Sequence, residues 1–152
     1  MDYQLVLVST PEDWLDYHAI RRHELFEAKG RYGIYDASRP EERLPSFYPY
    51  LLKLHGKALG TTRLDVRGDG TCVFRLVAIT ASEQGKGHGR ALGQMVEAKA
   101  RSFGAHTALV NAAPTALGYY EATGWHRYTW NVAELVGTQT SDWAAGKARL
   151  SQ

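Results

Sequence analysis

The chain has 152 residues, of which 44% are hydrophobic and 22% charged. These proportions are typical of a soluble globular protein, and the length suits one domain with one core, which we expect to span residues 1–152. Eighteen basic and 16 acidic residues give a net charge of +2, which is too small to indicate a nucleic-acid partner. No apolar run approaches the roughly 20 residues that cross a bilayer, so no membrane partner is expected.

Cysteine content and the amino terminus bear on the compartment. Cys72 is the only cysteine, so an internal disulfide is impossible. The start, Met1–Gln4, lacks the cationic segment and apolar run of a secretory signal. A cytoplasmic location is the simplest expectation. No grouping of histidine, cysteine and carboxylate has zinc-site spacing, so no metal is expected.

The first predicted elements are a strand and a helix. Polar and apolar residues alternate loosely over Tyr3–Ser9, which favours a strand. Thr10 and Pro11 then supply a helix N-cap and first position, and the apolar spacing continues to Lys29. Gly30 is the predicted stop.

A loop is predicted over residues 30–49, which are rich in Gly, Pro, Tyr and charge. Loops on a rigid scaffold often carry binding residues, so Tyr32, Tyr35 and Asp36 are candidate substrate contacts. The same side chains could equally serve only to pack the loop against the protein. The sequence leaves both interpretations open.

Three short strands with turn residues between them come next: Tyr48–Leu54, Ala58–Val66 and Thr71–Ile79. Their short connections predict an antiparallel meander. A helix that Gly104 would end and a buried strand over Thr107–Asn111 follow. A strand, helix and strand in this order form a right-handed crossover, which makes the two strands parallel neighbours.

The remaining elements are short. Pro114 opens a predicted helix that runs through Glu121, Gly124–Trp130 reads as a strand, and a last strand is expected near residues 140–147. The whole pattern predicts an α/β (α+β) fold. Its sheet is mixed and mostly antiparallel, with a central parallel pair of strands and flanking helices.

The junction between the third meander strand and its helix is glycine-rich. Gly85, Gly87 and Gly89 alternate with basic residues there. The first N–H groups of a helix lack intrahelical acceptors and carry a partial positive charge, so this place attracts phosphate. The register of the glycines fits neither the P-loop nor the Rossmann fingerprint.

What does fit is Gln84-x-x-Gly87-x-Gly89, which resembles the acetyl-CoA-binding signature of the GNAT superfamily of N-acetyltransferases. The order of predicted elements is the GNAT order from about Leu5 to Lys147. The segment Tyr119-Tyr120-Glu121-Ala122-Thr123-Gly124-Trp125 also resembles the family's Phe-Tyr-Glu-Lys-x-Gly-Phe. This resemblance implies the GNAT fold, acetyl-CoA as cosubstrate and an amine acceptor. Members of the family often form a homodimer, but nothing in the sequence indicates an interface, so the oligomeric state stays open.

The resemblance also implies which residues bind the cofactor. The main chain of Val77, Ala78 and Ile79 would lie along the pantetheine arm, with the Ile79 N–H as oxyanion donor, and Asn111 would be a cofactor-side amide. The pyrophosphate would lie on the loop and helix start, formed by Gln84, Gly85, Lys86, Gly87, His88, Gly89 and Arg90.

Tyr120 stands where the family carries its general acid, a phenol that protonates the leaving thiolate. A base is less evident, because Cys72–Arg75 lacks the glutamate of histone-type members. Asp65, Glu24 or a water chain remain candidates, and Arg75 is a candidate contact for an acidic substrate. The predicted function is therefore acetyl transfer to a primary amine. A non-catalytic acyl-CoA sensor is the alternative.

Overall fold

The computed structural model describes residues 2–38, 44–112, 117–122, 125–127 and 144–149. The strands within these ranges are β1 Tyr3–Leu7, β2 Phe47–Leu54, β3 Lys57–Val66, β4 Thr71–Ile79, β5 Thr107–Ala112, β6 His126–Arg127 and β7 Ala144–Arg149. They form one sheet in the order β1-β2-β3-β4-β5-β7-β6. The helices are α1 Pro11–Arg21, α2 His88–Ser102 and α3 Leu117–Ala122.

The predicted fold class is confirmed. Strands β1 to β4 pair antiparallel in sequence order, β4 pairs parallel with β5, and β7 pairs antiparallel with both β5 and β6. The helices cover opposite faces. Leu51 packs in the cluster that contains Tyr17 of α1, whereas Leu52 packs in the cluster that contains Val96 of α2. Successive strand residues point to opposite faces, so α1 and α2 lie on either side of the sheet.

The α1 segment begins as predicted but contains an irregular turn. Thr10 caps the helix, since its Oγ1 accepts from the Asp13 N–H at 3.1 Å. After Arg21 the chain makes a π-helical turn over Arg22–Phe26 and a 3-10 turn over Glu27–Lys29, and left-handed Gly30 ends it. A π turn holds one extra residue, which the apolar spacing did not reveal.

The predicted carboxyl-terminal elements were found in part. The predicted helix from Pro114 through Glu121 corresponds to α3, and the last strand, expected near residues 140–147, corresponds to β7. The strand predicted over Gly124–Trp130 is represented by β6. Pro114, Gly124 and residues 128–130 and 140–143 lie outside the described ranges. Over the parts of the chain that are described, no helix has the length and apolarity that crossing a membrane requires.

Candidate active site

Strand β4 separates from β5 partway along its length. Their parallel pairing joins Thr71–Phe74 to Thr107–Val110, whereas β4 continues to Ile79. Within the described ranges, residues 75–79 thus have no strand on the β5 side. An unpaired edge presents N–H and C=O groups that an extended ligand can pair with as an added strand.

A β-bulge shapes this part of β4. Opposite β3, Arg63 pairs with Arg75 and Thr61 pairs with Ala78, so two steps in β3 match three in β4. The extra residue changes which side chains share a face. Phe74 and Val77 consequently line the same cleft although they are three residues apart.

The main chain of Ile79 faces the open edge. The N–H of Thr80 donates to the Leu59 carbonyl of β3 at 2.9 Å. Because successive strand residues direct their N–H and C=O groups to opposite edges, those of Ile79 point away from β3. The Gln84 side chain supports this direction. Its Nε2 donates to the Ile79 carbonyl at 2.9 Å, as expected of a carbonyl that is not paired with β3. The Ile79 N–H is therefore directed toward the space that β5 leaves open.

The glycine loop leads into α2 in an exposed turn. Gly85 and Gly87 have φ angles of 80° and 86°, in the left-handed region that favours glycine. Gly87 is the N-cap of α2 and supplies no side-chain cap. Within the described residues, no side chain therefore accepts a hydrogen bond from the first N–H groups of α2. These groups, together with the positive end of the helix dipole, can bind an anion. This arrangement fits a diphosphate.

The three basic residues of the loop have different surroundings. Arg90 is exposed and lines the cleft. Lys86 is exposed, and its Nζ lies 3.0 Å from Glu83 Oε2. His88 is only 3% exposed, and its Nδ1 lies 2.7 Å from the Tyr3 hydroxyl. The His88 imidazole is thus directed into the protein, and its main-chain N–H is the part that lies at the helix start.

A cleft of about 200 Å³ lies between the sheet, α2 and α3. One wall is α2, where Gly89 and Gly93, one turn apart, leave the helix backbone uncovered. Glu97 lies farther along this wall; burial raises its pKa, and the Arg101 guanidinium acts in the opposite direction. The lining residues are Thr62, Phe74, Val77, Gly89, Arg90, Leu92, Gly93, Gln94, Val96, Glu97, Tyr120 and Trp125.

Tyr120 is held on the opposite wall by aromatic packing. Its ring meets Trp125 edge-on at 5.5 Å between centroids, and Trp125 meets Phe74 of β4 in the same way at 5.5 Å. The main-chain N–H of Trp125 also donates to the Tyr120 main-chain carbonyl at 2.9 Å. Asn111 follows Val110, where the β4–β5 pairing ends. Of the predicted site residues, Tyr120, Val77, Gly89 and Arg90 thus line one cleft, whereas Ala78, Ile79 and residues 84–88 are not among its lining residues.

The carboxylates considered as a base lie in different environments. Asp65 is 2% exposed, and Arg63 donates to both of its oxygens, at 2.7 and 2.9 Å. Arg75 lies 3.5 Å from the same carboxylate, so it too is part of a buried charge cluster. Glu24 lies in the π turn, and its Oε2 accepts from the Ala81 N–H at 2.9 Å. Of the two, Glu24 is therefore the carboxylate at the open end of β4.

Several lining residues were not predicted from the sequence. Gly93, Gln94 and Glu97 lie on the α2 face that begins with Gly89 and Arg90, and their helical spacing was the available signal. Thr62 lies on β3 and carried no such signal. Trp125 ends the segment Tyr119–Trp125 that resembles the family, but the resemblance assigned it no role in the site. Among the residues whose placement is described, no group of three or more His, Cys, Asp or Glu side chains could hold a metal ion.

Comparisons with solved structures agree with this geometry. An acetyltransferase from Streptococcus agalactiae superposes with a TM-score of 0.75 at 15% identity, covering 97% of this chain and 98% of that one. The Escherichia coli ribosomal-protein-S18-alanine N-acetyltransferase gives 0.73 at 14% identity, covering 99% and 96%. The Neisseria gonorrhoeae N-acetylglutamate synthase, complexed with coenzyme A and N-acetyl-glutamate, gives 0.77 at 17% identity, covering 100% and 36%. At these identities the likeness shows the fold.

The family itself is shown by a sequence comparison. A search of curated proteins found no significant match. The family model for the acetyltransferase (GNAT) family matches residues 6–125. This range contains α1, the meander, the glycine loop with α2, β5 and α3. The chain therefore belongs to the GNAT family and is an acetyl-CoA-dependent acyltransferase.

Proposed function

We propose that this protein transfers the acetyl group of acetyl-CoA directly to a primary amine of a small molecule, peptide or protein, with Tyr120 as general acid. One observation carries the proposal. A single cleft is lined by Gly89 and Arg90 at the uncapped start of α2, by Val77 from the unpaired stretch of β4, and by Tyr120. The helix start can bind the diphosphate of the cofactor, the strand edge can align its pantetheine arm, and Tyr120 can donate a proton to the leaving sulfur.

The cofactor contacts follow from the main chain. Bound acetyl-CoA supplies a thioester, whose carbonyl carbon is the electrophile. The N–H groups at the start of α2 and the Arg90 guanidinium bind the diphosphate, and the open edge at Val77 and Ile79 holds the pantetheine arm. The Ile79 N–H, directed toward that edge, donates to the carbonyl oxygen as negative charge develops there.

The acid and base roles differ in what they require of the protein. An ordinary phenol, with a pKa of about 10, is protonated at neutral pH, so Tyr120 can donate a proton to the departing sulfur. A lysine-like amine with a pKa of about 10.4 is neutral in only about one molecule in 2,500 at pH 7. Where the acceptor needs a base, we assign that role to Glu24, because Asp65 is enclosed by arginines.

The proposal is tested by binding and then by turnover. Acetyl-CoA at about 100 times its Kd should stabilise the protein by about 2.7 kcal/mol, which at this size raises Tm by about 5–10 °C. Assays that detect free thiol should then show CoA release in the presence of a suitable amine from a panel of acceptors. Absence of both binding and thermal shift would contradict the cofactor assignment. Binding without thiol release for any amine would favour the sensor instead.

A further inference from the structure

His88 is a buried histidine at the first position of the helix whose start faces the cofactor. Its side chain is 3% exposed, and its Nδ1 lies 2.7 Å from the hydroxyl of Tyr3. The two rings meet edge-on, with 5.6 Å between their centroids. Tyr3 belongs to β1, the edge strand, and β2 and β3 separate it from β4. This hydrogen bond therefore ties the start of α2 to the far edge of the sheet.

The other imidazole nitrogen faces the segment before the loop. His88 Nε2 lies 3.6 Å from Glu83 Oε1, while Lys86 Nζ lies 3.0 Å from Oε2 of the same carboxylate. The Lys86 hydrogen bond, aided by Lys57 and His88, lowers the pKa of Glu83, so this carboxylate is charged at neutral pH. Gln84 completes the arrangement through its bond to the Ile79 carbonyl. Side chains on both flanks thus hold the loop.

The loop segment from Gly85 to Gly87, between these flanks, is not fixed by packing at its glycines. Gly85 and Gly87 have left-handed φ angles, and a Cβ placed on either would meet no atom within 4 Å. Glycine has no side chain to pack against a neighbour, so a glycine-rich loop keeps conformational freedom. That freedom is lost when a ligand binds. The direction of the first α2 N–H groups therefore depends on the contacts that hold residue 88.

We infer that His88 is a positioning residue for acetyl-CoA. It holds the first turn of α2 against Tyr3 and Glu83, so that the N–H groups of Gly89 and Arg90 are oriented before the diphosphate arrives, and its imidazole does not touch the cofactor. The inference rests on the proposed binding of the diphosphate at this helix start. It assigns the side chain of His88 a task different from the cofactor contact that the motif predicts.

Tyr3→Phe is the decisive variant, because it removes the hydroxyl and keeps the ring. The Kd and KM for acetyl-CoA should rise about threefold to tenfold, the usual value of one hydrogen bond, with kcat at saturation within about twofold of the parent. Tyr48→Phe is the matched control. Tyr48 stacks on Phe103 beyond the other end of α2, so its loss of a hydroxyl should leave both constants unchanged.

A double-mutant cycle separates positioning from simple packing. His88→Leu should raise KM at least as much as Tyr3→Phe, and the two effects should not add, because both break the same bond. His88→Asn should recover part of the affinity when Tyr3 is present and none of it beside Tyr3→Phe. If His88→Leu does not fold, Tyr3→Phe and His88→Asn decide the question.

Two results would overturn the inference, and they can be told apart. Should Tyr3→Phe lower Tm while both constants for acetyl-CoA stay at the parent values, His88 is only a core residue and the proposed function stands. Should the parent protein itself fail to bind acetyl-CoA in calorimetry, the diphosphate site is wrong and the inference fails with it.

Discussion

Tyr120 owes its position to its aromatic neighbours as much as to its own short helix. Helix α3 is six residues long, and helices of that length are marginal in isolation. Trp125 and Phe74 connect the Tyr120 ring to β4, the strand whose edge we propose as the pantetheine site. The proposed acid is thus held against the same strand that would hold the cofactor.

Replacing Tyr120 with phenylalanine should lower kcat by about a hundredfold or more, since a positioned acid contributes roughly 10²–10⁴ to the rate. The Kd for acetyl-CoA should change by less than about threefold, because the ring contact with Trp125 is kept. Steady-state kinetics and calorimetry measure the two effects.

Tyr48→Phe again serves as the control and should match the parent. A Tyr120→Phe enzyme with the parent's kcat would exclude Tyr120 from the acid role. A large rise in Kd with kcat preserved would instead place the tyrosine among the residues that only bind the cofactor.

Some residue roles could not be predicted from the sequence because they depend on contacts between distant segments. The basic residues of the glycine loop indicate an anion site, which stays a prediction, and nothing local shows that Tyr3 lies beside His88. Asp65 remained a candidate base for the same reason. Its enclosure by Arg75 depends on the register between β3 and β4, in which Asp65 pairs with Val73 and Arg63 pairs with Arg75.

At the scale of elements, local signals were sufficient for most of the fold. Turn residues delimit the meander, and helical spacing delimits α2, so these elements and the parallel crossover were predicted. The bulge in β4 and the π turn in α1 were not. Each is a one-residue insertion that barely disturbs an apolar pattern. The bulge places Phe74 and Val77 on the same face of the sheet. The π turn contains Glu24, which contacts the main chain just after β4.

The glycine loop gives a prediction with a control in the same helix. Gly87 before α2 and Gly104 after it have φ angles of 86° and 85°. An alanine in the left-handed region costs about 1–2 kcal/mol, so Gly87→Ala and Gly104→Ala should lower the free energy of unfolding by similar amounts. Only Gly87→Ala should also raise KM for acetyl-CoA. Urea denaturation and steady-state kinetics provide the two measurements.

Equal increases of KM in the two variants would mean that acetyl-CoA affinity follows general stability, and would contradict a specific role for the loop. An unchanged KM in Gly87→Ala would show that the turn at this position does not direct the binding groups.

At the scale of the whole molecule, Cys72 reports on unfolding. It is fully buried on β4, and burial raises the pKa of its thiol to about 12. At pH 8 it is therefore protonated and inaccessible in the folded protein, while an unfolded cysteine has a pKa of about 8.5. A disulfide reagent should label it only through global opening, and acetyl-CoA at 100 times Kd should slow labelling about a hundredfold.

Mass spectrometry at pH 8 follows this labelling directly. Rapid modification that acetyl-CoA does not slow would show that β4 opens locally, contrary to the expectation.

Two expectations about the whole molecule stay predictions. One is a single domain over residues 1–152, because the family model matches only residues 6–125. The other is the homodimer that is common among family members.

The short parallel ladder between β4 and β5 has a mechanical consequence. In the described part of the chain, β4 and β5 pair only along Thr71–Phe74 and Thr107–Val110, while β4 continues to Ile79 without a strand on that side. A ligand bound along residues 75–79 would take the place of a strand there. The affinity for the proposed acyl donor should therefore depend on the spacing between β4 and β5 as well as on the contacts of single side chains.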